Sequence, residues 1–135
     1  MQTILRLSDA AAIALHTADY LAGQAGPPTP AGDIAKALGV SYNHLSKVLQ
    51  SLTKAGLVLP ARGPKGGFAL SASGKKARVR DIIAAIDGPP SMRACLLKHK
   101  VCKHRDCLLG NFISETNRRF EAVLNKKISE FSERE

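Results

Sequence analysis

Ser41–Leu70 reads SYNHLSKVLQSLTKAGLVLPARGPKGGFAL, and this stretch decides the fold. Leu45, Val48, Leu49 and Leu52 recur at i, i+3, i+4 and i+7, which places them on one face of a helix. Ser41 is a good N-cap and Gly56 a stop, so the helix runs between them. Leu57–Leu59 and Phe68–Leu70 read as two short strands around ARGPKGG, a hairpin with a Gly/Pro-rich tip. Upstream, a short helix through Ile34, Ala35 and Leu38 ends at Gly39, with Thr29 as its expected cap and Pro30 at its first position. Helix, tight turn at Val40, helix and basic hairpin together predict a winged helix-turn-helix.

Such a unit lays its second helix in the major groove. The side opposite the leucines carries Tyr42, Asn43, Ser46, Lys47 and Gln50 behind Ser41, all hydrogen-bonding types suited to base edges and phosphates. A solvated polar face would look the same, but the hairpin favours DNA. Arg62 and Lys65 sit among Gly63, Gly66 and Gly67, where missing side chains let a cationic tip approach phosphates or a minor groove. Ser41, Tyr42, Asn43, Ser46, Lys47, Gln50, Arg62, Lys65 and Gly66 are therefore the candidate DNA-binding residues.

Composition agrees. The 135 residues hold 20 Lys+Arg against 11 Asp+Glu, a net charge of +9, which suits a polyanionic partner. Aromatics are 4% with no Trp, which argues against stacking platforms for single strands. No apolar run reaches the length of about 18 residues that a membrane span needs. No signal peptide is visible, so the expected compartment is the cytoplasm, with no membrane partner.

Around this core, Ser8 is expected to cap a first helix bearing Ile13, Thr17, Tyr20 and Leu21. Gly23–Pro30 breaks it. Val79–Ile86 is a further short helix closed by Gly88-Pro89-Pro90. From about Leu108 a terminal helix is expected. Leu109, Phe112, Thr116, Phe120, Val123, Leu124, Ile128 and Phe131 line it over about 25 residues. That stripe could pack on the first helix. A second subunit is preferred, because helix-turn-helix proteins read paired half-sites as symmetric dimers. The fold class is mainly α with a small β-hairpin wing and a long C-terminal dimerisation helix. The expected parts are 1–90 for DNA binding, 91–107 as a cysteine loop and 108–135 for dimerisation.

The cysteine loop is CLLKHKVCKHRDC, with Cys95, Cys102 and Cys107 separated by six and four residues. Thiolates are what iron–sulfur clusters and zinc select. Unconnected cysteines, a regulatory disulfide, or zinc with His99 or His104 are the other readings, although zinc sites favour closer pairs. A Cys/His thiol enzyme is disfavoured: there is no C-x-x-C and no nucleotide loop.

Over nearly its full length the chain resembles the Rrf-type winged-helix regulators of bacteria, whose iron–sulfur members include the IscR-like and NsrR-like proteins. The resemblance rests on the Ser41–Leu70 stretch, on RDIIAAIDGPP (Arg80–Pro90), and on three cysteines before a long helix. It implies a cytoplasmic homodimer binding a double-stranded operator, as repressor or activator, most readily a repressor. It also implies an iron–sulfur cluster on Cys95, Cys102 and Cys107, 4Fe-4S favoured over 2Fe-2S, sensing nitric oxide, redox or iron–sulfur status. Even gaps between the cysteines are commonest in the family, and here they are uneven. The IscR-like ligand histidine, three residues after the last cysteine, is replaced by Gly110. The NsrR-like ligand is an N-terminal aspartate of the partner subunit, which corresponds here to Asp9. Asp9 would equally serve as a first-turn carboxylate on the helix dipole. The other function class is a cluster-free winged helix that uses its cysteines for thiol-redox sensing or zinc.

Overall fold

The computed structural model describes residues 7–92, 95, 97, 107–109 and 111–132. Helix α1 spans Asp9–Ala22, and Ser8 caps it as expected, its Oγ accepting from Ala11 N–H at 3.0 Å. The face of α1 turned inward is small: Ala11, Ala14, Thr17, Ala18 and Leu21 are buried. Thr17 satisfies its buried hydroxyl by donating to Ile13 C=O at 2.7 Å.

Helix α2 (Ala31–Leu38) buries Ile34 and Ala35. It stops at Gly39, whose φ of 67° lies in the left-handed region that only glycine adopts cheaply. Val40 N–H then returns to Ala35 C=O at 3.1 Å, closing a Schellman turn. The expected start of α2 is corrected. Pro30 is the cap residue, not the first helical one. Thr29 is engaged elsewhere, in an antiparallel bridge to Phe68 with bonds of 2.9 and 2.8 Å.

Helix α3 (Tyr42–Lys54) follows directly, its Leu45, Val48, Leu49 and Leu52 buried as the periodicity requires. Strands β1 (Val58–Ala61) and β2 (Gly67–Leu70) form the hairpin, with Val58 opposite Leu70 and Ala61 opposite Gly67. Both are slightly displaced toward the tip from the expected 57–59 and 68–70. A Cβ on Gly67 would collide with the Thr29 carbonyl, so glycine here lets the α1–α2 loop dock on the wing.

The five-residue helix α4 (Ala72–Lys76) was not anticipated. Ser71 caps it and also donates to Gly56 C=O at 2.6 Å, fixing α4 to the root of the hairpin. Helix α5 (Val79–Asp87) packs against α1 and α3 through buried Val79, Ile82 and Ile83.

The single long terminal helix is a second correction. Two helices occur, α6 (Phe112–Leu124) and α7 (Ile128–Ser132), separated by a corner at 125–127. Leu124 and Ile128 enter the core, and α7 returns onto α1. The stripe read as one surface is thus two. Ile113, Asn117, Phe120 and Leu124 turn inward at helical spacing, while Phe112, Thr116, Arg119 and Val123 form a separate row beside them. In that second row Phe112 is 57% and Val123 41% exposed.

Candidate DNA interface and cysteine loop

Burial of the leucine face fixes how α3 presents its other side. Asn43, Lys47, Gln50 and Lys54 recur at i, i+4, i+7 and i+11 and are all exposed, forming one outward row. Tyr42, 58% exposed, and half-buried Ser46 border it near the helix start. Ser41 does not present a free hydroxyl, since its Oγ accepts from His44 N–H at 3.1 Å as the helix cap. His44 and Lys54 were not singled out from sequence. Both are exposed, and the burial of Leu45 and Leu52 beside them is the pattern that places them outside.

The wing brings Arg62 and Lys65 to an exposed tip. Gly66 has a different part from its neighbours. It is half-buried, its N–H donates to Gly63 C=O at 2.9 Å, and a Cβ would strike Ala61 and Gly63 carbonyls. Its glycine is therefore required by the turn itself. Among the described residues, Lys47, Lys54, Arg62 and Lys65 have no ion-pair partner. An unneutralised row on a helix, next to a cationic hairpin tip, is what a phosphate backbone attracts.

Of the expected metal ligands, Cys95 is half-buried and Cys107 exposed, and both are free thiols. Leu109 N–H points to Cys107 Sγ at 3.4 Å. Cys102, like His99 and His104, lies outside the described residues. Asp9 is exposed in the first turn of α1, with no hydrogen-bond partner for its carboxylate among the described residues. Its neighbour Ser8 is bonded to Asp87 at the end of α5, the element that leads into the cysteine loop.

No described helix is long and apolar enough to cross a membrane. The Rrf2 family pattern, described as an iron-dependent transcriptional regulator, matches residues 7–129. Among similar proteins, the putative regulator BadM of Rhodopseudomonas palustris is 36% identical over 83 residues, covering 62% of this chain and 53% of its own. IscR of Vibrio campbellii is 32% identical over 98 residues, covering 73% of this chain and 58% of its own. The chain thus matches little more than half the length of these relatives. Among solved structures, CymR, the global cysteine regulator of B. subtilis, superposes with a TM-score of 0.76 at 25% identity, covering 97% of this chain and 99% of that one. T. potens IscR superposes with a TM-score of 0.67 at 24% identity, covering 93% and 84%. Fold, wing and the near-complete match together place the chain: it belongs to the Rrf2 family of winged-helix transcriptional regulators.

Proposed function

We propose that this protein is a homodimeric operator-binding repressor whose DNA affinity is set by an iron–sulfur cluster on Cys95, Cys102 and Cys107. The observation that carries the DNA-binding part is the outward row Asn43–Lys47–Gln50 of α3 beside the Arg62/Lys65 wing. Lys47, Arg62 and Lys65 bind phosphates and fix register. Asn43 and Gln50 read base edges, with Tyr42 and Ser46 at their border.

The donor set fits a cluster chemically. Three thiols lie in one short loop, and the two described ones are free and reachable from solvent. When bound, such a cluster supplies iron sites reactive toward nitric oxide and oxidants. Asp9 of the partner subunit is proposed as the fourth ligand, an oxygen donor more easily displaced than a thiolate. In its own subunit, Asp9 begins α1 next to Ser8, whose bond to Asp87 links that turn to the root of the loop. The protein's own part is to order the loop between the winged unit and α6. That order sets the separation of two recognition helices, which must match half-sites roughly 34–36 Å apart.

A second reading keeps the winged helix and uses the cysteines as redox-active thiols or zinc ligands. The exposure of Cys107 favours it. Anaerobic purification followed by a visible spectrum and iron and sulfide assay decides between them. The cluster reading expects a coloured protein with stoichiometric iron and sulfide, both lost in Cys102→Ala. A colourless, iron-free protein assigns the loop to thiol or zinc chemistry.

A further inference from the structure

The corner between α6 and α7 is built into the rest of the molecule by backbone pairing. Arg78 and Lys127 form an antiparallel bridge. Val79 N–H donates to Lys126 C=O at 2.9 Å, and Ile128 N–H donates to Ala77 C=O at 3.0 Å. The Arg78 guanidinium donates to Asn125 C=O, and Arg80 Nε to Asn125 Oδ1 at 3.3 Å. Arg80 also pairs with Glu121. Buried Leu124 and Ile128 hold the corner from the core side.

This pairing has an electrostatic result. It sets Lys75, Lys76 and Arg78 beside Lys126 and Lys127, two basic runs far apart in sequence, and all five are exposed. The carboxylates nearby are already engaged. Asp81 accepts from Arg78 N–H at 2.9 Å, Glu130 from Lys127 N–H at 3.3 Å, and Glu121 faces Arg80. The Lys126 ammonium lies 5.8 Å from the Phe131 ring centre. Lys75, Lys76 and Lys127 have no ion-pair partner among the described residues.

We propose that Lys75, Lys76, Arg78, Lys126 and Lys127 form a second DNA-backbone surface, which binds duplex phosphates flanking the base pairs read by α3. The proposal rests on the DNA-binding reading above. Two observations favour a phosphate backbone over an acidic protein segment. None of the large exposed apolar side chains among the described residues lies in this patch, so a protein partner would find charge without an anchor. The patch also starts at α4, which Ser71 fixes to the root of the wing, where a duplex longer than the read core continues.

The test uses the full chain and random-sequence duplexes of two lengths: about 25 bp, enough for two half-sites one turn apart, and about 45 bp. The triple variant Lys75→Gln/Lys76→Gln/Lys127→Gln is compared with wild type and with the three Lys→Arg changes. On the longer duplex the Gln variant should lose about tenfold or more in affinity at moderate salt, and its salt slope should fall by up to about 3, roughly 0.9 per lost contact. On the short duplex it should match wild type, and the Lys→Arg variant should match wild type on both. Equal binding by the Gln variant on both lengths overturns the proposal. So does an equal loss on both lengths, or a loss confined to poly-glutamate. Wild type that binds neither duplex overturns the DNA-binding reading itself.

Discussion

Asp87, the last residue of α5, clamps Ser8, the cap of α1: its Oδ1 accepts from Ser8 Oγ at 2.6 Å and its Oδ2 from Ser8 N–H at 3.2 Å. Ser8 Oγ in turn accepts from Ala11 N–H, so one carboxylate orients a hydroxyl that satisfies the helix end. The residue that precedes Asp9 is thereby tied to the segment that leads into the cysteine loop.

Removing this clamp should cost stability in a coupled way. Ser8→Ala should destabilise the fold by about 1 kcal/mol as a lost cap, and Asp87→Ala by a similar amount. The double variant should cost clearly less than the sum, because both changes remove one network. Urea unfolding measures all three. Strict additivity would show that the two residues act independently.

The wing gives a sharper contrast between glycines. Gly39→Ala should cost about 1 kcal/mol, since a left-handed φ is strained although its Cβ meets nothing within contact distance. Gly67→Ala should cost more and should also weaken DNA binding. Its Cβ collides with Thr29 and must displace either the wing or the α1–α2 loop. Equal stability losses, with DNA binding intact in both variants, would contradict the docking role of Gly67.

On the reading face, Lys47→Ala and Arg62→Ala should weaken binding to all sequences and each lower the salt slope by about 0.9. Asn43→Ala and Gln50→Ala should instead change sequence preference, by about 1–3 kcal/mol per lost base contact. Selection from a random duplex pool, repeated for each variant, separates the two classes. An unchanged preferred sequence in both Asn43→Ala and Gln50→Ala would move base readout to other side chains, with His44 first among them.

The two faces of α6 should respond differently. Leu124 is fully buried, so Leu124→Ala should destabilise the monomer fold by about 2–5 kcal/mol. Phe112→Glu with Val123→Glu should leave the fold intact and convert a dimer to a monomer, because their apolar surface would lose its partner. Circular dichroism and light scattering together check this. A full-length wild-type monomer would remove the dimer, and with it the ligand role of Asp9 across subunits.

Much of this was legible in the sequence where local pattern and burial agree. Leu45, Val48, Leu49 and Leu52 predicted their own face, and Ser8, Ser41 and Gly39 marked helix ends by chemistry that acts within one turn. What local pattern could not give depends on distant partners. Thr29 looked like a cap because its hydroxyl suits one, yet its backbone pairs with Phe68, far along the chain. The terminal helix looked continuous because apolar residues at 124, 128 and 131 keep helical spacing across the corner. The break comes from the bonds of Lys126 and Ile128 to Val79 and Ala77, which no window around residue 126 contains. For the same reason the Lys75/Lys76/Arg78 and Lys126/Lys127 patch was invisible. For the cysteines, sequence spacing remains the main guide, since Cys102 lies outside the described residues.

The central claim is that the state of the cysteine loop controls operator affinity, and one titration tests it most directly. An operator selected from random duplexes would be titrated with protein in three states: cluster-loaded, nitric-oxide-treated and apo, all under anaerobic conditions at one salt concentration. The account predicts that the cluster-loaded dimer binds with an affinity different from the other two by about tenfold or more, a coupling of about 1.4 kcal/mol. It also predicts that Asp9→Ala retains iron but loses most of that difference. Equal operator affinity in all three states would falsify the sensor reading and leave a winged-helix repressor indifferent to its cysteines.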